Sequence, residues 1–154
     1  MVGEPISTVS TAPGGDVAIG KAATLAGVST RTLRYYEQLG LLTPSARTSG
    51  GARRYSPGDV TRLLRIRELQ SLMGFNLTDI QLILEAEDRL QSLCREFRAE
   101  IPGERKRDIA SEAIGVTDNL RAQVAEKLDK VRIFLAALDD RTGRYRAYLS
   151  EDPD

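Results

Sequence analysis

"STRTLRYYEQLGLL", residues 29–42, is the stretch whose reading decides the fold. Ser29 is a strong helix N-cap, because its side-chain oxygen can accept a hydrogen bond from an unpaired amide of the first turn. The helix it opens runs to about Leu39, where Gly40 terminates it. Arg31, Arg34, Tyr35, Tyr36 and Glu37 all fall on this helix, within reach of one another. Alone, an arginine-rich amphipathic helix is common, and its plainest reading is a solvated face with one tyrosine in the core. The sequence on either side changes that reading.

Upstream, in "AIGKAATLAGV" (residues 18–28), Ile19, Ala22, Ala23 and Ala26 recur at helical spacing and Gly27 closes the segment. The pattern Ala23-x3-Gly27-x-Ser29-x3-Leu33 meets the needs of a helix-turn-helix. A small residue lets two helices approach, glycine makes the turn, and an apolar residue locks the second helix onto the first. Downstream, "RTSGGARRYS" (residues 47–56) sets Gly50-Gly51 between short polar stretches, which reads as a hairpin. "SPGD" (56–59) then starts a helix, with Ser56 as N-cap, Pro57 in the first turn and Asp59 at the capping-box position. That helix is expected to reach about Met73, with Val60, Leu63, Leu64, Ile66 and Leu69 as its apolar residues. Asn76 and Asp79 repeat the cap logic for another helix that buries Ile80, Leu84 and Ile83.

The chain has 154 residues, no histidine and one cysteine. These numbers exclude a disulfide framework, histidine acid/base chemistry and most routes to transition-metal binding. No metal site, catalytic residue or cofactor follows from the sequence, and no segment pairs a nucleophile with a base, so an enzyme is not expected. No apolar run is long enough for a membrane span, and no signal peptide opens the chain. A cytoplasmic location is expected.

The formal net charge of zero hides an asymmetry. From Asp16 to Asn76, nine basic residues face four acidic ones, whereas Leu77 to Asp154 carries 13 basic and 17 acidic residues. All but one of the nine are arginines, whose forked donors match phosphates and guanine edges.

Residues 1–16, rich in Gly, Pro, Ser and Thr, read as a disordered tail. Residues 17–87 hold the helix-turn-helix and its wing. Residues 88–117 read as a helical connector, interrupted at Pro102-Gly103 and weakened at Gly115. From 118 to 140 the signal sharpens: Leu120, Val124, Leu128, Val131, Leu135 and Leu138 follow one another at spacings of 4, 4, 3, 4 and 3 residues. This approaches the period of a coiled-coil seam. No other segment offers a partner helix of matching length, so a second copy of the chain is the natural partner, with packing on residues 88–116 the alternative. Residues 141–154 read as a C-terminal tail.

Taken in order, these elements resemble the MerR family of bacterial transcription regulators. The resemblance covers residues 19–84 closely, through "TLRYYEQLGLL", the Arg47-x5-Arg53 spacing into "RRYS", and "GFNLTDI". The seam helix resembles the family in character only. The fold implied is mostly α: a winged helix-turn-helix DNA-binding domain followed by a long antiparallel coiled-coil dimerisation helix. The function implied is sequence-specific binding of a pseudo-palindromic promoter operator, a double-stranded DNA site, by a homodimer. Such a regulator works beside RNA polymerase, often by distorting the DNA, and sits with the bacterial nucleoid. An architectural or excisionase-like DNA-bending protein is the nearest alternative, and a coiled-coil interaction adaptor a more distant one.

Carried over residue by residue, the resemblance assigns base or phosphate contacts to Thr30, Arg31 and Arg34. It lays Tyr35 and Tyr36 along the sugar-phosphate chain. It gives the wing arginines Arg47 and Arg53 phosphate contacts, with Arg54 beside them. Arg67 on the next helix takes a phosphate as well, with Arg62 and Arg65 competing for that role. Tyr55 is expected under the wing. Ala52 departs from the pattern, since an aromatic residue often stands there. Metal-sensing members use two or more cysteines near the dimer helix, so lone Cys94 is most simply a small hydrophobe. Thiol sensing or a dimer-linking disulfide is its alternative role, given Arg95 and Arg98 nearby. Larger members append a ligand-binding domain after the seam helix. Here an unknown small-molecule inducer, if one exists, is expected to meet residues 88–154 or both subunits together.

Overall fold

The computed structural model of the protein describes residues 15–150. The expected N-terminal tail lies outside that range except for Gly15 and Asp16. The chain divides into two compact units, with the boundary between Glu87 and Asp88.

The first unit begins with a short strand β1 (Val17–Ala18) and helix α1 (Ile19–Ala26), followed by α2 (Thr30–Gln38). Gly27 ends α1 at φ 62°, in the left-handed region, and its amide donates to the Thr24 carbonyl at 3.1 Å. Ser29 caps α2 as expected, accepting from the Thr32 amide at 2.9 Å. Gly40, at φ 73°, lets the chain reverse, and the Leu41 amide bonds back to the Tyr36 carbonyl at 3.0 Å. Ala22, Ala23 and Ala26 of α1 and Leu33 of α2 are buried, so small residues set the close approach of the two helices.

The hairpin forms between β2 (Ala46–Arg47) and β3 (Arg53–Tyr55), with Ala46 opposite Arg54 and Arg47 opposite Arg53. Gly51 turns it at φ 79°. The sheet gains a third strand that the sequence does not reveal: β1 pairs antiparallel with β3, Val17 opposite Tyr55, in the order β1-β3-β2. Helix α3 (Pro57–Ser71) opens on a complete capping box. Ser56 accepts from the Asp59 amide at 3.2 Å, and Asp59 accepts from the Ser56 amide at 2.7 Å. Aspartate therefore serves where glutamate is usual. Val60, Leu63, Ile66 and Leu69 form the buried face of α3, which packs on α1 and β3, and Leu41, Leu42 and Tyr55 are buried as well.

Helix α4 (Leu77–Arg98) is capped by Asn76, whose side-chain oxygen accepts from the Asp79 amide at 2.8 Å. Ile80, Ile83 and Leu84 are buried as expected. The helix passes through the start of the segment read as a connector and ends at Arg98.

In the second unit, the latter part of α4 and the start of helix α5 (Gly103–Ser150) run antiparallel, with Arg89 pairing with Glu112 and Arg105 with Glu96 across them. Leu93 and Ile109 are the unit's buried residues, the Lys106 ammonium lies 5.5 Å from the Phe97 ring centroid, and the Arg105–Glu96 distance is 2.6 Å. Two sequence-based boundaries need correction. The seam helix starts at Gly103 rather than Asp118, and it continues past residue 140 to Ser150. One helical glycine costs only ~1 kcal/mol relative to alanine, too little for Gly115 or Gly143 to break a helix of this length. At 48 residues, α5 is ~72 Å long at 1.5 Å per residue.

Candidate nucleic-acid interface

Helix α2 presents one face inward and the other to solvent. Leu33 and Tyr36 point into the core. Thr30, Arg31, Arg34 and Tyr35 point out, and with Thr32 and Gln38 they line a shallow open depression. Arg31 and Arg34 make no hydrogen bond or ion pair with any described residue. Arg34 also lines a second hollow with Ala18, Ile19, Gly51, Ala52 and Arg53, which brings the exposed helix face alongside the wing. Arg47 is exposed on the wing, with one weak contact to the Gly51 carbonyl at 3.3 Å.

Glu37, three residues on from Arg34 along α2, is not its partner. The structure gives Glu37 other partners. Arg53 Nε lies 2.7 Å from Glu37 Oε2, in a charge contact that lacks hydrogen-bond alignment. The Tyr55 hydroxyl donates to Glu37 Oε1. Tyr55 is fully buried, as expected, and its pKa is pushed well above the ordinary tyrosine value. Burial is the main cause, the Glu37 hydrogen bond and charge add to it, and Arg53 and Arg34 oppose it. Glu37 thus ties the second helix to the wing, a role the sequence left unassigned. The hint available was an acid on the same helix as two arginines, followed by Arg53 and Tyr55 at alternating positions of one strand.

Four expected contact residues take different positions. Tyr36 is buried and its hydroxyl donates to Gln70 Oε1 at 2.7 Å, so it braces α2 against α3 and does not reach the outer surface. Burial raises its pKa, opposed by the charge of Arg67. Arg67 donates to the Ala26 carbonyl, capping the end of α1 and filling the space beside Gly27 that a Cβ would need. Arg53 is partly buried on Glu37. Arg54 donates to the Asp16 carbonyl at 2.6 Å, which fixes the chain just before β1.

The other arginines of α3 are braces as well. Arg62 donates to the Leu41 carbonyl at 2.6 Å, and Arg65 joins Glu87 and Glu68. Burial works against the Arg65 charge, and the hydrogen bonds it donates to Glu87 and Glu68 outweigh it, so its pKa is raised. The exposed cationic set on α2 and the wing is therefore Arg31, Arg34 and Arg47.

In the second unit, Cys94 is a free, half-buried thiol on α4. No cluster of three or more His, Cys, Asp or Glu residues among the described residues could hold a metal ion. No described helix is long and apolar enough to cross a membrane.

The model of the MerR HTH family of regulatory proteins matches residues 17–87, the unit that carries this surface. The Bacillus subtilis HTH-type transcriptional regulator YfmP is 31% identical over 117 residues, covering 75% of this chain and 81% of its own. The chain belongs to the MerR family of regulators. A second relative of this MerR-family chain, the mercuric resistance operon regulatory protein of Bacillus cereus, is 44% identical over 79 residues, 51% of the chain and 59% of its own length. Against the first three curated relatives the chain spans about three-fifths of their length. A Listeria monocytogenes protein described as a MerR family transcriptional regulator shares the fold, with a TM-score of 0.54 at 22% identity over 86% of this chain and 88% of that one. The three proteins named here are described as regulators.

Proposed function

We propose that the chain binds promoter DNA as a homodimer and regulates transcription there. One observation carries the reading: the face of α2 bearing Thr30, Arg31, Arg34 and Tyr35 is exposed beside the wing, and its two arginines have no hydrogen-bond or ion-pair partner among the described residues. A recognition helix enters the major groove with its N-terminal residues toward base edges, and guanidinium forks bind guanine or phosphate. Thr30, Arg31 and Arg34 read bases or grip phosphates, Tyr35 lies against the sugar-phosphate chain, and Arg47 clamps a phosphate from the wing. Arg53 and Arg54 hold the wing in place.

Dimerisation rests on α5. Val124, Leu128, Val131, Leu135 and Leu138 are all more than 40% exposed in the single chain. A continuous apolar stripe of this kind needs cover. The dimer then meets an operator with two half-sites, between or beside the elements that RNA polymerase reads, and acts by distorting the DNA.

Selection of bound fragments from genomic DNA, followed by footprinting, tests the reading. A protected pseudo-palindrome at a promoter is the expected outcome. Retention of fragments with no shared sequence would overturn the regulatory reading in favour of DNA bending alone.

A further inference from the structure

A second row of residues runs along α5 beside the apolar stripe. Lys130, Phe134, Ala137, Arg141, Arg144 and Tyr148 follow one another at spacings of 4, 3, 4, 3 and 4 residues. The first three stand one residue before Val131, Leu135 and Leu138, which turns the row away from the stripe by ~100°. From Lys130 to Tyr148 the row is ~27 Å long at 1.5 Å per residue.

Its composition differs from that of its surroundings. The row carries three cations, two aromatic rings and no acid, whereas the two acids of this stretch, Asp139 and Asp140, fall outside it. Phe134 and Tyr148 are 66% and 78% exposed. Arg141 and Arg144 are exposed and make no hydrogen bond or ion pair with any described residue. Lys130 pairs with Glu126 at 2.7 Å, but its side chain is 73% exposed, and a pair so open to solvent yields readily to a competing anion.

Two ordinary accounts fall short. Cations in the last turn of a helix complement its dipole, but the last turn of α5 holds none. Exposed arginines keep a helix solvated, whereas exposed rings in the same row work against solubility. The combination fits a ligand that offers both negative charge and flat faces. Guanidinium forks match phosphate oxygens, and exposed rings are platforms for nucleobases. Arg141, Arg144 and Tyr148 are three and four residues apart, so their side chains are neighbours on the helix surface. A duplex keeps its base faces stacked within, and would meet the cations while leaving the rings unused. An acidic peptide would do the same. An anionic lipid surface calls for an acid-free margin, and Glu126 and Asp140 stand in the adjoining row.

We propose that this row of α5 binds single-stranded nucleic acid, with Arg141 and Arg144 on phosphates and Phe134 and Tyr148 stacked on unpaired bases. The second unit then has a nucleic-acid site of its own, independent of operator binding by α2. Stacking and phosphate contacts tolerate any sequence, so the ligand is an unpaired strand of RNA or of DNA.

The test is fluorescence anisotropy on the full chain with Arg31→Ala and Arg34→Ala, which remove the contribution of α2. The probes are a labelled DNA strand of about 16 nucleotides, an RNA of the same sequence and the blunt DNA duplex. A single strand is expected to bind more tightly than the duplex at equal salt, and the tighter of the two strands names the source. In the same background, Arg141→Gln with Arg144→Gln should weaken that binding more than tenfold, and Tyr148→Ala about tenfold. Tyr148→Phe keeps the ring and should keep the affinity. Full affinity in Tyr148→Ala, or equal losses in Tyr148→Ala and Tyr148→Phe, would rule out stacking and overturn the proposal. So would a duplex that binds as tightly as either strand, or a polyglutamate peptide that displaces the strand at equal charge concentration. Sedimentation of each variant should match that of the wild type, and an affinity lost only through dissociation of the protein also overturns the assignment. A chain that binds neither strand at low salt ends the proposal, while operator binding by α2 stands untouched.

Discussion

The contact between Glu37 and Tyr55 can be isolated by a double-mutant cycle. Tyr55→Phe removes one hydroxyl from a fully buried side chain and leaves the ring in place. The hydroxyl donates to a carboxylate, and hydrogen bonds to charged groups contribute about 1.5–3 kcal/mol. Glu37→Ala removes the same bond, leaves the buried hydroxyl without its acceptor, and frees Arg53. The Arg53 side chain is 35% exposed, so solvent screening limits that ion pair to under about 1 kcal/mol. The expected losses are about 2 kcal/mol for Tyr55→Phe and about 3 kcal/mol for Glu37→Ala. The double variant should lose little more than Glu37→Ala alone, a coupling of about 1.5–2.5 kcal/mol. Urea unfolding of the full chain, at one fixed concentration because association shifts apparent stability, measures each value. A coupling below about 0.5 kcal/mol would mean that the two residues act independently. The wing would then be held by something other than Glu37.

Three further outcomes follow from the same geometry. Arg34→Ala should weaken binding to a selected operator by about 1–3 kcal/mol while the dimer persists, and a gel shift with wild-type affinity would remove Arg34 from the interface. Arg67→Ala should act through the fold, lowering urea stability by about 1–3 kcal/mol through the lost charged hydrogen bond to Ala26. Its operator affinity, measured on the folded fraction, should stay near wild type. In alkali, the raised pKa of Tyr55 means that the unfolded chain releases this proton from about pH 10 upward while the folded chain retains it. Stability from this group is thus complete below pH 10 and falls above it by up to about 1.4 kcal/mol per pH unit. Tyr55→Phe should flatten that part of the profile, and an unchanged slope in urea midpoints between pH 9 and 11 would contradict the assignment.

The helix-turn-helix was legible because its punctuation is chemical: Gly27 supplies a positive φ, Ser29 a cap and Asp59 a capping box, and each sits where the sequence placed it. β1 was not legible, because a two-residue strand pairs through its backbone and "VA" carries no pattern. The acceptors of Arg67, Arg53 and Arg54 within the protein were not legible for a different reason. A guanidinium binds a carbonyl, a carboxylate or a phosphate with the same donors, and sequence does not say which acceptor the fold brings near. Tyr36 shows a related ambiguity, since a tyrosine on an amphipathic helix can point either way until the position of Gln70 is known. The length of α5 was underestimated because Gly115, Thr142 and Gly143 look like breakers, although their cost is small within a long helix.

The engagement of the α3 arginines within the protein also bears on how the complex would respond to salt. DNA holds a condensed layer of small cations, and each protein cation seated on a phosphate releases some of them. If every basic residue of the first unit sat on a phosphate, a two-headed complex would show a log–log slope near −16 or so, at roughly 0.9 per contact. With Lys21, Arg31, Arg34 and Arg47 as the exposed basic residues of each head that have no partner among the described residues beyond the weak contact of Arg47 with the Gly51 carbonyl, the slope falls to about −7. The operator complex should therefore tolerate changes in cellular ionic strength far better than its arginine content suggests, leaving more of its binding free energy to base contacts and DNA shape.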